Sequence, residues 1–424
     1  MIENMTQSNS AGLTTVSTKH RFGQHVTAEI EKGRQLSIIA LVNYIIEQAQ
    51  VLGASDIHIN PTEKDIAVRY RIDGVLEKVH SLPLYVHAEI ISRIKILCSL
   101  RTDEHQTAQD GRFRVTLTNE KVIDIRVSLI PIYHGENAVL RLLSDESAIF
   151  TFTKLGFSSS NIEKILTALK KPYGMILATG PTGSGKTTTL YTLIKMLNVP
   201  STSIITIEDP IEYAIESINQ IQVNSRTGLT FANALRSLLR QDPNIIMVGE
   251  IRDAETAGLS VNISLTGHLV FSTLHTNDAA TTLPRLLDMK IEPYLIASTV
   301  NIAIGQRLVR RLCSECKVKK VPTQSELTSL SNYVTHEIKM LQQTIYSARG
   351  CDECNHTGYR GRIGIHEVLV VSPCVREAIM KRATASNIRA VAITEGMVPL
   401  IEDGFSKVLS GVTSIEEVLK ICYE

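Results

Sequence analysis

Tryptophan is absent from the 424 residues, and aromatic residues make up only 5%. That argues against an extended surface on which nucleic-acid bases stack. No apolar run approaches the ~18 residues that a membrane-spanning helix needs. The most apolar stretches, around Ile38–Ile46 and Met175–Ala178, are far shorter. The opening MIENMTQSNSAGLTT is polar and lacks the apolar core of a signal peptide. The expectation is a cytoplasmic protein, still free to dock onto a membrane protein. An excess of one charge is also missing. The 44 Lys+Arg and 43 Asp+Glu give a formal net charge of +1, so no global field draws the chain to nucleic acid or anionic lipid, and only local patches remain.

What is present is ordinary globular material, 43% hydrophobic and 21% charged. The length suits about two to three domains. Residues 1–33 are polar and rich in Ser and Thr, and read as a tail, with any order expected near its end. Residues 34–147 read as a small α/β domain. A helix is expected over Gln35–Val51, with Leu36, Ile39, Ile45 and Ala49 on its apolar stripe. Strands follow at Asp56–Asn60, Ile66–Arg71 and Val75–His80, the last two joined by the hairpin pair Asp73-Gly74. Val86–Leu97 reads as a helix, then Gly111–Leu117, Val122–Leu129 and Asn137–Leu143 as strands. Alternation in the second of these sets Asp124, Arg126 and Ser128 on one face.

Residues 148–424 change style. Strand-like runs at Met175–Thr179, Ile204–Ile207, Ile245–Val248 and Leu269–Leu274 alternate with helical segments, which predicts a parallel sheet with crossover helices. A cysteine-bounded insert occupies 313–354, and 369–424 reads as a helical end piece.

Between the first of these strands and the helical TTTLYTLIKML lies Gly180-Pro181-Thr182-Gly183-Ser184-Gly185-Lys186-Thr187, which matches G-x-x-x-x-G-K-[ST] in the strand-to-helix context the phosphate loop requires. Its glycines let backbone N–H groups turn toward a phosphate, and the helix N-terminus adds partial positive charge. Lys186 can reach the β- and γ-phosphates of ATP, the Thr187 hydroxyl can ligate Mg²⁺, and Thr188 completes the first turn. Asn244–Glu250 carries a carboxylate to the end of another strand, where Glu250 suits holding Mg²⁺ through water or placing an attacking water. A second acidic group, Glu208, Asp209 and Glu212, follows the Ile204 strand. Glu208 is the candidate to polarise the water, and the division of roles among Glu208, Glu212 and Glu250 stays open. Acidic residues after a strand are otherwise solvated loop residues. His268 and His275 bracket Leu269–Leu274, and His275, at the ligand-binding end, is the candidate γ-phosphate sensor.

The seven cysteines include two C-x-x-C pairs, Cys313/Cys316 and Cys351/Cys354, separated by the 34 residues 317–350. Two such knuckles suit one tetrahedral Zn²⁺ held by four thiolates, a closed and therefore structural site, with His356 nearby but not required.

Taken together, GPTGSGKTTTLY, IITIEDPIEY, NIIMVGEIRDAETA and GHLVFSTLHTNDA resemble the secretion ATPases of type II secretion and type IV pilus systems. In that family they correspond to the Walker A, Asp box, Walker B and His box. Upstream, ASDIHINP, VRYRIDGVL, SRIKIL, QDGRFR and IDIRVSLIP resemble the family's PAS-like N-terminal domain. Downstream, IGQRLVRRLC and GCDECNHTGYRGRIGIHEVL match as well, so the resemblance spans roughly residues 36–424. It implies a PAS-like domain followed by a RecA-like P-loop ATPase domain, assembled as a homo-hexamer. It further implies Arg112 and Arg126, with Arg141 a weaker third, completing the nucleotide site of a neighbouring copy. The implied partners are an inner-membrane platform protein and, indirectly, pilin-like subunits, with no nucleic acid. The implied cofactors are ATP, Mg²⁺ and Zn²⁺. The tetracysteine insert resembles assembly and secretion motors rather than retraction motors. The stretch LRTDEHQTA departs from the family pattern, and only about 35 residues precede the PAS-like region, whereas many assembly ATPases carry further docking domains there. The alternatives are a retraction or conjugation-type motor, a nucleic-acid motor, and a nucleotide-gated scaffold with little turnover.

Overall fold

The structure, a computed structural model, describes residues 23–118, 120–144, 151–331 and 344–422. The chain divides into two compact units, Met1–Ser147 and Ala148–Glu424.

In the first unit, helix α1 (residues 23–31) and α2 (Ile38–Val51) precede strands β1 (Ala54–Pro61), β2 (Ile66–Ile72) and β3 (Val75–Leu82). Helix α3 (His87–Leu97) and strands β4 (Gln109–Thr116), β5 (Val122–Ile132) and β6 (Gly135–Ser144) complete it. The six strands form one sheet, ordered β3-β2-β1-β6-β5-β4. Every pairing is antiparallel. Along β5, residues Ile123, Ile125, Val127 and Leu129 are buried, while Asp124, Arg126 and Ser128 alternate on the other face. The apolar face packs on α2 and α3, the one-sided burial usual for antiparallel sheets. Tyr70 is fully buried, and its hydroxyl donates to Ile45 O at 2.9 Å, which satisfies its polar end.

Two expectations are corrected here. The first concerns where the tail ends: the order expected near its end is a helix, 23–31, that buries Val26 in this core and so belongs to the domain. Val26 and Ile30 supply the i, i+4 apolar pair, and the polar residues around them mask it. The second is that Ile39 sits on the apolar stripe of α2. It is exposed, because Leu41, Val42, Ile45, Ile46 and Ala49 already fill the buried side.

The second unit opens with α4 (Phe152–Leu155), α5 (Ser159–Leu169), β7 (Gly174–Thr179) and α6 (Lys186–Leu197). Next come β8 (Ile204–Glu208), β9 (Asn219–Gln222), α7 (Phe231–Leu238), β10 (Ile245–Val248), α8 (Ala254–Leu265) and β11 (Leu269–Leu274). Helices α9 (Ala279–Asp288) and α10 (Pro293–Thr299) lead into β12 (Val300–Leu312). The insert contains β13 (Val318–Lys320), α11 (Gln324–Ser331) and β14 (Ile345–Ser347). Strand β15 (Tyr359–Val370) and helices α12 (Pro373–Met380), α13 (Ala385–Thr394), α14 (Leu400–Leu409) and α15 (Ile415–Cys422) end the unit.

The large sheet runs β15-β12-β7-β11-β10-β8-β9. It is parallel except for β15, which pairs antiparallel with β12. Strands β7, β8, β10 and β11 are buried along their whole length, because helices cover both faces. One layer includes Leu235, Val261 and Leu283, and the other Ile165, Leu190 and Ile194. Among the described residues no helix is long and apolar enough to cross a membrane.

Candidate active site

The phosphate loop sits where a parallel α/β sheet places its ligands, at the carboxyl ends of the strands. It leaves the end of β7 at Thr179 and enters α6 at Lys186. Gly185 precedes that helix in the left-handed region, φ 86°, which a side chain would strain. A Cβ there would also sit 2.8 Å from Gln306 Nε2.

Gln306 holds the loop from beneath. Fully buried on β12, its amide donates to Ser184 O at 2.7 Å, and its oxygen accepts from the Thr189 hydroxyl at 2.7 Å. One side chain thus joins the loop to the first turn of α6. The Ser184 hydroxyl is buried and has no partner among the described residues, an orphaned donor that an incoming anion satisfies. Lys186 folds back onto the loop, donating to Gly180 O and Pro181 O, both at 2.9 Å. Burial pulls its ammonium down to about 8; Glu250 works against that shift, and Arg307 adds to it. Pro181, Thr182 and Gly183 are exposed along the loop, and Thr187 and Thr188 follow Lys186 in the first turn of α6.

Glu250 lies two residues beyond β10, and its side chain is only 12% exposed. Its Oε1 pairs with Arg252 Nη2 at 2.5 Å, and its Oε2 lies 3.2 Å from His275 Nε2, which follows the end of the neighbouring strand β11. Lys186, Glu250 and His275 are thereby gathered at one edge of the sheet. Arg252 joins them although the sequence reading did not single it out; its place two residues after Glu250 was the available signal. His268 is at the opposite end of β11, its Nδ1 3.0 Å from Ile263 O. The Thr187 hydroxyl and the Glu250 carboxylate are the hard oxygen donors that Mg²⁺ takes.

Glu208 is placed differently. It is 2% exposed and accepts from three donors: the Tyr191 hydroxyl, the Thr206 hydroxyl at 2.6 Å and the Gln220 amide at 3.1 Å. Tyr191 belongs to α6, so this carboxylate ties the phosphate-loop helix to the end of β8, from which the acidic loop departs. Asp209, next along, is exposed.

In the first unit, strand register sets Arg112 opposite Arg126, Arg126 opposite Arg141, Arg141 opposite Asp56, and Asp56 opposite Arg71. Residues directly opposite share a face, so four arginines and one carboxylate form a row across the sheet. Like charges directly opposite are unfavourable; Asp56 answers Arg141 Nε at 2.9 Å and Arg71 Nε at 3.5 Å, and the Asp124 carboxylate, held below the usual range by Arg114 and also by Arg112 and Arg126, answers the other end. Arg141 is therefore in an ion pair, whereas Arg112 is exposed on the outer strand.

The four insert cysteines come together, with all their sulfurs within 4.8 Å of one another. Cys313–Cys351 is 3.9 Å, Cys316–Cys354 is 3.7 Å and Cys351–Cys354 is 3.7 Å. Four thiolates at Zn–S distances of about 2.3 Å form a tetrahedron with edges of about 3.8 Å, so these spacings fit the ion. Backbone N–H groups of Cys351 and Gly358 each donate to Cys354 Sγ at 3.2 Å, which stabilises a thiolate. His356 pairs instead with Asp352 at 3.2 Å, outside the cluster.

Compared with known proteins, residues 31–420 match the family described as type II/IV secretion system protein. The chain is 47% identical over 403 residues to the type II secretion system protein E of Xanthomonas campestris pv. campestris, covering 93% of this chain and 70% of that protein. It is 46% identical over 382 residues to the type IV pilus assembly ATPase PilB of Myxococcus xanthus, covering 90% and 67%. Among solved structures, the pilus retraction motor PilT with bound ADP superposes with a TM-score of 0.62 at 28% identity, covering 89% of this chain and 96% of that one.

Proposed function

The chain belongs to the family of type II/IV secretion ATPases, and from that premise we propose that it powers assembly of a type IV pilus or a type II secretion pseudopilus. The observation that carries the proposal is the convergence of Lys186, Glu250 and His275 at the carboxyl edge of the sheet, around a phosphate loop with an orphaned Ser184 hydroxyl. ATP is the substrate. Lys186 exchanges the carbonyls of Gly180 and Pro181 for the β- and γ-phosphates, which also accept from the N–H groups of residues 182–188. Thr187 and Glu250 would hold Mg²⁺, which would supply neutralisation of the phosphate charge. Glu250 orients the attacking water, and His275, 3.2 Å away, reports the presence of the γ-phosphate. A role for Glu208 in polarising water requires its bonds to Tyr191, Thr206 and Gln220 to open; in the state described it ties α6 to the end of β8.

The assembly is a homo-hexamer in which Arg112 and Arg126 of one copy neutralise the leaving phosphate on the next, an effect worth ~10³–10⁵ in rate where a guanidinium does this. Cys313, Cys316, Cys351 and Cys354 would hold Zn²⁺, which would brace the insert and take no part in hydrolysis, since protein would fill all four positions. The ring acts from the cytoplasm on an inner-membrane platform protein, and through it on pilin-like subunits, without nucleic acid.

A retraction motor is the second reading, favoured by the likeness to PilT; the four-sulfur cluster weighs against it. Replacing the chromosomal copy with Lys186→Ala separates the two. Loss of surface fibres or of secretion supports assembly, more fibres than wild type supports retraction, and unchanged fibres and secretion contradict both.

A further inference from the structure

The segment that follows His275 is stapled at both ends to one row of the large sheet. In that row Thr179 of β7 stands opposite Gly305 of β12, and Gly305 stands opposite Glu367 of β15. At one end of the segment, the Thr276 N–H donates to Thr179 Oγ1 at 3.1 Å. At the other, the Ala279 N–H donates to Glu367 Oε1 at 2.6 Å. Gly305 makes room for this arrangement: a Cβ there would lie 2.8 Å from Glu367 Cγ and 3.0 Å from Ala279 N. Thr179 is also the residue from which the phosphate loop departs. The nucleotide loop and the His275 segment therefore share one anchor.

The same segment reaches the C-terminal helices through two acidic side chains that the hydrolysis scheme does not use. Asp278 caps α9, its Oδ1 accepting from Thr281 N at 2.8 Å, while its Oδ2 pairs with Arg389 of α13. Glu367, 2% exposed, spends its second oxygen on Leu400 N, the first residue of α14, at 3.2 Å. Buried carboxylates are costly unless paired or hydrogen-bonded, and each oxygen of Glu367 is spent on a different helix. Each of the two carboxylates thus joins the N-terminus of α9, three to four residues after His275, to a different helix of the end piece.

We propose that Asp278 and Glu367 are positioning residues that transmit the state of the nucleotide site at His275 to α13 and α14. The inference rests on the ATPase reading and extends it. When a γ-phosphate draws His275 toward the nucleotide, the short Thr276–Ala279 link carries the displacement to Asp278 and to the Ala279 N–H. Arg389 and Leu400 then follow, because each is bound to the far side of the same carboxylate. The end piece becomes the part of the unit that a nucleotide moves first after its own loop.

Hydrogen–deuterium exchange on the full chain tests this, with Mg²⁺ and a non-hydrolysable ATP analogue as the probe. In wild type, amides of 180–188 and of 385–409 are both slowed, the latter by about fivefold or more, the low end of ordinary couplings. Asp278→Asn separates capping from coupling, because Asn still caps a helix but forms no ion pair with Arg389. It keeps protection at 180–188 and loses the response in α13, and Arg389→Gln does the same. Glu367→Gln has one acceptor oxygen left for two N–H donors and loses the response in α14. Melting curves on the same samples verify that the variants are folded. Protection at 180–188 without any change at 385–409 in wild type overturns the proposal alone, as does a wild-type response at α13 in Asp278→Asn and Arg389→Gln. Absence of protection at 180–188 in wild type overturns the ATPase reading and this proposal with it.

Discussion

Glu250 and His275 face each other across the ends of adjacent parallel strands, with His275 Nε2 3.2 Å from a carboxylate oxygen of Glu250. Neither residue is near the other in the chain; β10 and β11 bring them together. In the proposed scheme this pairing joins the group that orients water to the group that reports the γ-phosphate, and so links hydrolysis to the presence of the phosphate it removes. Replacing His275 by Ala leaves Glu250 paired with Arg252. Turnover is expected to fall by roughly 10²-fold, the size seen when one preorganised donor is lost, while nucleotide affinity changes much less. Single-turnover hydrolysis alongside equilibrium binding measures both.

Lys186 makes binding pH-dependent in a defined direction. In the free protein burial depresses its ammonium to about 8, whereas a bound triphosphate demands the charged form. Above pH 8 binding must therefore take up a proton, and affinity for ATP falls by up to roughly tenfold per pH unit. Below pH 8 this group contributes no pH dependence. Binding titrations from pH 7 to 9.5, with proton uptake measured in two buffers of different ionisation enthalpy, test the sign.

The four cysteines predict one zinc per chain and a stability effect without a catalytic one. Ile345, within the insert, packs against Phe405, Val408, Ile415 and Val418 of the C-terminal helices, so loosening the insert loosens that end. Chelation, or Cys316→Ser, is expected to lower the melting temperature while leaving nucleotide affinity within about threefold, because a four-thiolate site has no open position for substrate. Metal analysis and thermal melting on the same preparation read this out.

Tyr191→Phe removes one of the three donors on buried Glu208. Leaving a buried acceptor short of a partner costs about 1–3 kcal/mol, which denaturant unfolding should detect. The same change loosens the tie between α6 and the end of β8, and hydrolysis is expected to fall together with stability.

How far the sequence carried these conclusions depends on the range of the interaction. The phosphate loop is a local pattern, set between a short apolar run and a helical one, and its residues were legible one by one. Strands β7, β8, β10 and β11 were legible for the same reason, as continuous apolar runs between turns. The long strands β12 and β15 were not read as strands. Gly305, Gln306, Arg307 and Arg310 break the apolar run of β12, and their places are explained only by what lies over them. Gln306, Glu208 and Glu367 lie within legible motifs, but what each side chain holds was not legible: Gln306 under the phosphate loop, Glu208 within its three donors and Glu367 between two helices take partners from other elements. Arg112, Arg126 and Arg141 were legible one by one, but Arg71 was not, and the row itself was not, since register emerges only on pairing. The helix at 23–31 was hidden by polar composition around two apolar residues.

The central claim is that Lys186 and Glu250 form one ATP-hydrolysing centre. The most direct test is steady-state ATP hydrolysis by the purified full-length protein, comparing wild type, Lys186→Ala and Glu250→Gln, with nucleotide binding and mass in solution measured on the same samples. The account predicts that Glu250→Gln still binds ATP but hydrolyses it roughly 10²-fold more slowly, and that Lys186→Ala loses both binding and turnover. Hydrolysis by either variant at the wild-type rate would contradict it.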